Sequence, residues 1–324
     1  MGLFRKHGKD NAEGAEDRRI EVDFGAADAA PNAEKALSKR GAHAIAKPLR
    51  QHTVGSLEEA LLRDFPAEDA ESWDRTGVAV GERALPVKKV AVALDPTVSA
   101  IRKAAEAGAQ VVVTHHPAYL SSPDSFAPEN SVALSPGAGV WAAVQSRVAL
   151  MSFHTALDVS PRAARVLPSM LGLDFTGSLL EPLMQSKRKG YGQICRVAGE
   201  NGKPETLGRL AARCMAVFGR SPRVWGDFDM PLKRVATATG SAGLVGRAAL
   251  EQGIDCLICG EIKYHEALDL SEAGLCVIEL GHDVSELPLV AVLADAISRA
   301  GVARDDIVVL DQSGNWANPE AIRL

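Results

Sequence analysis

The residues of this chain best suited to chemistry are histidines that follow short aliphatic runs. His115 and His116 directly follow the run 111–114 and precede Pro117. Imidazole nitrogens are common metal ligands, so the pair predicts a metal site before any other function. Because Pro117 biases His116 away from helical geometry, we expect the pair to lie just where a strand has ended.

The same arrangement recurs at two further predicted strand ends. His154 and Asp158 follow the run 148–153, and His282 and Glu286 follow the run 275–280. Open α/β sheets place their ligands at the carboxyl ends of the strands, so these side chains are expected to converge. Four of the eight histidines lie at such ends. This clustering favours a shared metal site over ordinary structural histidines.

The third strand end allows two arrangements. His282 and Glu286 would meet on one face of a helix, because residues four apart are neighbours there. Pro288 argues against a helix that begins at or before His282, since the proline would then lie in the helix interior. A helix capped by Ser285 places Pro288 in the first turn. We therefore expect His282 in a loop and Glu286 at the start of the helix.

Several histidines together with two carboxylates suit two divalent metal ions. Imidazole and carboxylate ligands fit Zn, Mn, Fe, Co or Ni, whereas an all-oxygen shell would fit Mg or Ca. A site with coordination positions left open for water would provide a hydroxide near neutral pH and polarise a phosphoryl or carbon–nitrogen centre. The chemistry that this predicts is hydrolysis.

Two residues near these strand ends have alternative interpretations. His154 is a further ligand, a residue that orients a ligand, or a general base, and we favour a position in the wall of the active site over direct ligation. Asp95 is either the cap of the next helix or the acceptor for a ligand histidine, and the cap is preferred.

Three other features have both a functional and a structural interpretation. His265, with Lys263, is either a contact for a substrate phosphate or a solvated helix residue. The turn 240–243 either cradles an anion or is only a tight connection. Cys256 and Cys259 have the spacing of a metal or redox pair, but the run around them favours a buried strand.

Composition limits the classes of partner. The chain has 324 residues, of which 46% are hydrophobic, and a formal net charge of -5. This modest charge argues against nucleic acid and anionic membranes as partners, and the sequence shows neither a run of about 18 apolar residues nor the apolar core of a signal peptide. The five cysteines are an odd number, which is typical of a reducing compartment. These features predict a cytoplasmic protein without membrane association.

The order of elements predicts an α/β fold with two lobes and the metal site at strand carboxyl ends between them. Residues 1–52 are rich in charge, Ala and Gly and are predicted to be a disordered tail. We place the first α/β lobe at 53–180 and the second at 181–274, with the polar segment 185–190 as a connection. A C-terminal segment, 275–324, returns to the metal site.

Five motifs together carry a resemblance to a known family. They are the strings 73–81, 115–117, 154–158, 260–265 and 281–286. In this order they resemble the Nif-three-like dinuclear metal centre family, whose members are often labelled GTP cyclohydrolase I type 2 homologues. The resemblance covers the chain from about Ser56 to the C-terminus. It implies a ring-shaped homohexamer and a set of metal ligands: His115, His116, Asp158, His282 and Glu286, with Glu286 as the bridge.

The resulting functional hypothesis is a hydrolase that depends on two divalent metal ions. Its expected partner is a small-molecule substrate, a nucleotide or a related phosphorylated heterocycle, attacked by a metal-bound hydroxide, with His154 as the candidate catalytic side chain. The alternative is a metal-binding assembly or regulatory protein that catalyses no reaction. A third hypothesis makes the histidines structural residues without metal.

Overall fold

The computed structural model describes residues 52–128, 136–199, 204–243 and 245–317. The tail predicted for residues 1–52 lies outside these ranges except for its last residue. The described part is an α/β structure built around two large sheets, as the alternation of elements predicted. None of its helices is long and apolar enough to cross a membrane.

The strands are short except for one long hairpin, β7 and β8. In chain order they are β1 (His52–Thr53), β2 (Gly77–Val80), β3 (Pro86–Val87), β4 (Val90–Ala93), β5 (Val111–Thr114), β6 (Ala149–Ser152), β7 (Asp174–Leu183), β8 (Ser186–Arg196), β9 (Glu205–Thr206), β10 (Arg223–Trp225), β11 (Pro231–Leu232), β12 (Arg234–Thr237), β13 (Cys256–Cys259), β14 (Cys276–Glu279) and β15 (Ile307–Val309).

The α-helices alternate with these strands. They are α1 (Val54–Asp64), α2 (Val98–Glu106), α3 (Pro136–Ser146), α4 (Thr155–Asp158), α5 (Val166–Met170), α6 (Leu207–Phe218), α7 (Val245–Glu251), α8 (Tyr264–Glu272) and α9 (His282–Arg299). Single 3-10 turns lie at Ala67–Asp69, Ala163–Arg165 and Arg304–Asp306.

The first sheet has the strand order β15-β4-β5-β6-β2. Its members are parallel except β2, which pairs antiparallel with β6. Strands β4, β5 and β6 are buried along their whole length, which explains their near-continuous aliphatic sequences. Val111 and Val113 pack with α1 and α9 on one face, and Val112 packs with α2 and α3 on the other.

The second sheet has the strand order β10-β14-β13-β12-β8-β7. Its three central strands, β12, β13 and β14, are parallel. Cys256 and Cys259 point to opposite faces of β13, where they join different apolar clusters. Both thiols are buried and free, and burial raises the pKa of Cys259 to about 12. The prediction of a buried strand is confirmed.

The sequence predicted a connection between lobes at the polar segment 185–190. In the structure most of this segment is instead part of strand β8. That strand pairs antiparallel with β7, inside which residue 180 lies. Gly190 adopts φ 148°, and a Cβ there would lie 2.2 Å from the carbonyl oxygen of Glu181. Glycine is therefore needed at position 190 because the two strands of the hairpin approach closely there, and not because the segment is a flexible linker.

Helix α9 connects the second sheet to the first. It follows β14, packs Leu289, Leu293 and Ile297 into the core under the first sheet, and leads to β15 in that sheet. The described C-terminal residues thus complete the first sheet.

The start of α9 differs from the prediction. The helix begins at His282, with Gly281 as N-cap and Pro288 in its interior, so the predicted Ser285 cap is wrong. The Ser285 hydroxyl instead donates to the His282 carbonyl at 2.8 Å and accepts from the Gly240 amide at 2.9 Å. Burial of the apolar face of α9 outweighs the hydrogen bond that Pro288 cannot make.

Candidate metal centre

The carboxyl ends of the parallel strands in both sheets meet at one cluster of histidines and carboxylates. His115 and His116 follow β5, His154 follows β6, and His282 follows β14. The structure brings these histidines together with Asp158, the last residue of α4, and Glu286 of α9. The donor atoms form three overlapping sets, and within each set all donor atoms lie within 4.8 Å of one another. The sets are His115, His116 and His154; His116, His282 and Glu286; and His115, Asp158 and Glu286.

The His115 ring is fully buried and oriented from behind by the backbone. Its Nδ1 lies 3.2 Å from the carbonyl oxygen of Phe153. Because a carbonyl only accepts, Nδ1 carries the proton and Nε2 faces the cluster. Nε2 lies 3.5 Å from Glu286 Oε1 and 3.7 Å from Asp158 Oδ1, and it makes no hydrogen bond within the described part of the chain.

The His116 ring is oriented in the same way by Asp95. Nδ1 donates to Asp95 Oδ1 at 2.7 Å, and Nε2 lies 2.9 Å from Glu286 Oε2. The preferred interpretation of Asp95 as a helix cap was wrong. Thr97 caps α2, since its side chain accepts from the Ala100 amide. Asp95 is the acceptor for a cluster histidine, which was the other interpretation.

His282 and Glu286 occupy one face of α9, the arrangement that Pro288 argued against. His282 Nε2 lies 3.0 Å from Glu286 Oε2, and His282 Nδ1 lies 3.2 Å from Glu261 Oε1. Because α9 begins at His282, the two side chains are four residues apart in the first turns of the helix. The helix therefore supplies both residues to the cluster.

The turn after β12 packs directly against the carboxylates. The Thr239 hydroxyl donates to Asp158 Oδ1 at 3.0 Å. Gly240 has φ 60°, and a Cβ there would lie 2.3 Å from Glu286 Oε1. Gly240 thus allows a close approach to Glu286, which agrees with the interpretation of this turn as a tight connection.

His154 belongs to the first of these donor sets, and Asp74 holds its ring. Its Nδ1 lies 3.1 Å from Asp74 Oδ1, and the other carboxylate oxygen accepts from the Thr155 amide at 2.9 Å. Burial would raise the pKa of Asp74, but its hydrogen bonds to His154 and Thr155 outweigh burial and lower that pKa. Asp74 is therefore an anion that fixes the imidazole. The ring centroids of the half-exposed Trp73 and of His154 lie 5.8 Å apart, with the two rings edge to face.

The clustered charges shift the proton affinities of the histidines. Burial would lower the pKa of His116, but its hydrogen bonds to Asp95 and Glu286 raise it to about 10. The hydrogen bond to Glu286 raises the pKa of His282 to about 9, against the effect of burial. Burial would likewise raise the pKa of Glu286, but the facing histidines hold it well below its ordinary value. The Glu286 carboxylate is consequently anionic at neutral pH.

The donor set fits a divalent metal ion. His115 Nε2 is a buried polar atom without a hydrogen bond, and two carboxylate oxygens face it. Burial of a polar atom without a partner is costly, and a cation coordinated by this nitrogen and these oxygens would remove that cost. Mixed imidazole and carboxylate ligands suit Zn, Mn, Fe, Co or Ni.

Sequence reasoning assigned no role to Asp74, Glu261 or Thr239, although each contacts a cluster residue. Asp74 and Glu261 lie in strings that carried the family resemblance, which was the one available signal. Their partners are far away in the chain, so no local spacing indicates the contact.

His265 and Lys263 are exposed at the start of α8, and the His265 ring packs on Tyr264.

The two sheets and the shared cluster define an α/β protein with a candidate metal centre at strand carboxyl ends. Residues 52–314 match the Duf34/NIF3 (NGG1p interacting factor 3) family. The chain belongs to this family, which confirms the resemblance found in its motifs.

Curated relatives carry a common name. A GTP cyclohydrolase 1 type 2 homolog of Clostridium acetobutylicum is 28% identical over 243 residues, which cover 74% of this chain and 88% of the relative. A protein of the same name from Streptomyces coelicolor is 29% identical over 235 residues, covering 71% and 80%.

Solved structures share the fold. The Staphylococcus aureus protein SA1388 has a TM-score of 0.70 and 22% identity, covering 83% of this chain and 99% of that protein. Reduced HcgD from Methanocaldococcus jannaschii has a TM-score of 0.66 and 21% identity, covering 81% and 99%. At these identities the likeness concerns the fold alone.

Proposed function

We propose that this protein is a hydrolase that depends on two divalent metal ions and acts on a nucleotide or a related phosphorylated heterocycle. The ions would be held by His115, His116, Asp158, His282 and Glu286. The name of the curated relatives, GTP cyclohydrolase 1 type 2 homolog, supports a nucleotide as the first substrate to test.

The observation that carries the proposal is the position of Glu286 between two donor sets. Its Oε1 faces His115 Nε2 at 3.5 Å, and Asp158 belongs to the same set. Its Oε2 faces His116 Nε2 at 2.9 Å and His282 Nε2 at 3.0 Å. A carboxylate whose oxygens face different donor sets is suited to bridge two ions, as in two-metal hydrolases.

When bound, such ions supply Lewis acidity and an activated water. The protein's contribution to proton transfer is assigned to His154. Because its Nδ1 donates to the anionic Asp74 at 3.1 Å, its Nε2 is the nitrogen left to accept a proton from water or to return one to a leaving group. In this proposal His154 acts beside the metal ligands and is not one of them.

Trp73 and Arg75, which flank Asp74 in the chain, support a planar, anionic substrate. Trp73 is 53% exposed next to the His154 ring, and indole faces stack on nucleobases. Arg75 donates from Nε to the Leu120 carbonyl at 3.0 Å and lies 5.9 Å from the Tyr119 ring centroid. Among the described residues no carboxylate lies within ion-pair distance of Arg75, so its terminal nitrogens are available for phosphate.

The test is a combined metal and substrate assay. Protein reconstituted separately with Zn, Mn, Fe, Co or Ni is analysed for metal content, and we expect two ions per chain. The loaded protein is then incubated with GTP and a panel of phosphoesters, and turnover of at least one compound is expected. Two bound ions with no turnover of any compound would contradict the hydrolase proposal and support a metal-binding assembly or regulatory protein instead.

Two variants distinguish a loss of the metal site from a general loss of folding. Glu286→Ala should lower metal affinity by at least about 100-fold and abolish turnover, because it removes the proposed bridge. Glu251→Ala is the control, since Glu251 is an exposed helix glutamate paired with Arg247, and it should retain both. Protein that binds no metal after reconstitution would support the hypothesis of structural histidines.

The proposal extends to the oligomeric state and the cellular location of the protein. We infer a ring-shaped homohexamer from the family resemblance and a cytoplasmic location from the composition of the sequence. Exposed apolar side chains on α3, Trp141 and Val144, are available for contacts between copies. Light scattering coupled to size-exclusion chromatography tests the hexamer, and a monomer at micromolar concentration would contradict it.

A further inference from the structure

A buried glutamine from the C-terminal region lies directly behind Asp95. Gln312 is 6% exposed. Its Oε1 accepts from the Leu94 amide at 2.8 Å and the Asp95 amide at 2.9 Å, and its Nε2 donates to the Asp95 carbonyl at 3.0 Å. One carboxamide therefore satisfies three backbone groups just after β4 ends.

The fixed backbone determines where the Asp95 carboxylate lies. Asp95 Oδ1 accepts from His116 Nδ1 at 2.7 Å, and this bond orients His116 Nε2 towards Glu286 Oε2 at 2.9 Å. A chain of contacts thus leads from Gln312 through Asp95 to His116. Hydrogen bonds to the far nitrogen of a ligand histidine fix its tautomer and ring orientation.

The chain on each side of Gln312 is fixed, and on its N-terminal side the pairing of strands β15 and β4 sets its position. Strand β15 pairs in parallel with β4, with Val309 opposite Val92, and the Leu310 amide donates to the Val92 carbonyl at 2.8 Å. The same register, continued past β15, brings Gln312 alongside Asp95.

Beyond Gln312 the chain is tied to the start of α9. Trp316 Nε1 donates to Asp283 Oδ2 at 3.0 Å, and the Arg220 guanidinium lies 4.2 Å from the Trp316 ring centroid. Arg220 also donates to Asp283 Oδ2 at 3.1 Å. Asp283 adjoins His282, so the segment 310–316 is held between the supports of two cluster histidines.

We propose that Gln312 is a positioning residue for the metal centre, acting on His116 through Asp95. This inference rests on the proposed metal site but not on the proposed hydrolysis. It gives the C-terminal segment a role in setting metal affinity, although Gln312 itself contacts no metal ligand.

The chain offers a matched control at the opposite end of β4. Gln110 Oε1 accepts from the Lys88 and Lys89 amides at 2.8 and 2.9 Å, and its Nε2 donates to the Gly108 carbonyl at 2.7 Å. Gln110 therefore also accepts from two consecutive backbone amides and donates to one carbonyl, but its amide partners directly precede β4, at the end remote from the cluster.

The experiment compares Gln312→Leu with Gln110→Leu in the full-length protein. Both variants should lower the melting temperature of the metal-free protein, because both leave backbone amides without partners. Only Gln312→Leu should weaken Co²⁺ affinity, by about 10- to 100-fold in competition with a chelator, and change the visible absorption spectrum of bound Co²⁺. Equal affinity in Gln312→Leu and wild type, or equal weakening in the two variants, would overturn the proposal.

A second measurement needs no metal. In metal-free protein, nitrogen-15 NMR should show a His116 Nδ1 proton protected from exchange, assigned by its absence in His116→Ala. Gln312→Leu should lose this protection and Gln110→Leu should keep it. Retained protection in Gln312→Leu would refute the positioning role even if wild-type protein bound no metal, so this failure is separate from that of the proposed function.

Additivity tests the route through Asp95. If Gln312 acts through Asp95, Asp95→Ala should weaken Co²⁺ affinity at least as much as Gln312→Leu, and the double variant should be no weaker than Asp95→Ala. Losses that add in the double variant would show that Gln312 does not act through Asp95.

Discussion

At the scale of the residue, the centre depends on acceptors that hold one nitrogen of each imidazole. Nδ1 of His115, His116, His154 and His282 lies within 3.2 Å of an oxygen, which belongs to Phe153, Asp95, Asp74 or Glu261. These oxygens belong to carbonyl or carboxylate groups, so Nδ1 is the donor in each pair. In the neutral ring Nε2 then presents a lone pair to the cluster, which is the form that binds metal.

The histidine pKa values predict opposite pH trends for folding and metal binding. The folded pKa values of His116 and His282, about 10 and about 9, lie above the unfolded value of 6.5. Protonation of these rings therefore stabilises the metal-free fold fully below about pH 6.5, and the contribution disappears as pH rises through 9 to 10. Urea unfolding of metal-free protein should show a progressive loss of stability between pH 7 and 10.

Metal affinity should rise over the same pH range, because binding must displace the protons from both rings. Chelator competition at several pH values measures this rise, and calorimetry in buffers of different ionisation enthalpy counts the released protons. The double variant His116→Ala, His282→Ala should flatten the stability profile. An unchanged profile in that variant would assign the trend to other groups.

Asp74 gives the second prediction at this scale. Asp74→Asn should destabilise the protein by about 2 to 3 kcal/mol at pH 7, because a buried carboxylate with several hydrogen bonds is replaced. The pKa of Asp74 is lowered in the folded state, so its contribution is present above about pH 4 and disappears as pH falls through the folded pKa. The stability difference between wild type and variant should therefore shrink in acid.

Turnover provides a separate check of Asp74. If His154 transfers protons as proposed, Asp74→Asn should lower kcat more than metal affinity, since Asp74 touches His154 and no proposed ligand. A loss of metal equal to the loss of turnover would instead place His154 among the ligands.

At the scale of the element, the centre is formed by the start of α9 and the turn that follows β12. The helix presents His282 and Glu286 on one face, and Ser285 ties it to the turn through the Gly240 amide at 2.9 Å. The turn needs glycine at this position for two reasons, a positive φ and the approach of Glu286. A change at Gly240 should therefore affect the metal site more than the fold.

The prediction is that Gly240→Ala displaces Glu286 and lowers metal affinity by at least about 10-fold. A Cβ would meet Glu286 Oε1 at 2.3 Å. Gly243→Ala is the matched control, because Gly243 also has positive φ but a Cβ there would meet no atom of the described residues within 4 Å. Both variants should lose about 1 to 2 kcal/mol of stability from backbone strain. Equal metal affinity in the two variants would contradict the clash.

At the scale of the whole molecule, the proposed ligands join the two sheets. His115 and His116 extend from the first sheet, and His282 and Glu286 follow a strand of the second. Helix α9 then returns to the core of the first sheet. Bound ions would thus add contacts between parts of the molecule that the chain already connects.

Metal should stabilise the protein without being required for folding. At a free concentration of 100 times Kd, one ion adds about 2.7 kcal/mol to the free energy of unfolding. Calorimetry with and without a chelator should show a lower but still cooperative transition in the metal-free protein, because both sheets have apolar cores of their own. Loss of the cooperative transition on chelation would indicate a structural metal instead.

The amino-acid sequence alone determined the α/β class, the three strand ends and the burial of the Cys256 pair. These features depend on local patterns, namely aliphatic runs, turn residues and the residues that directly follow a strand. The family motifs then named the cluster residues that the structure brings together. Their role as ligands remains a prediction.

The tertiary structure alone decided the arrangement around those residues. Asp95 accepts a hydrogen bond from His116 and does not cap a helix, and α9 begins at His282 although Pro288 then lies inside it. Asp74 and Gln312 support histidines that are distant in sequence. Local rules weigh only neighbours in the chain, whereas these positions are set by hydrogen bonds between distant segments and by burial of α9 against the first sheet. Such contacts leave no periodic pattern in the sequence, and they decide which nitrogen each histidine presents to the centre.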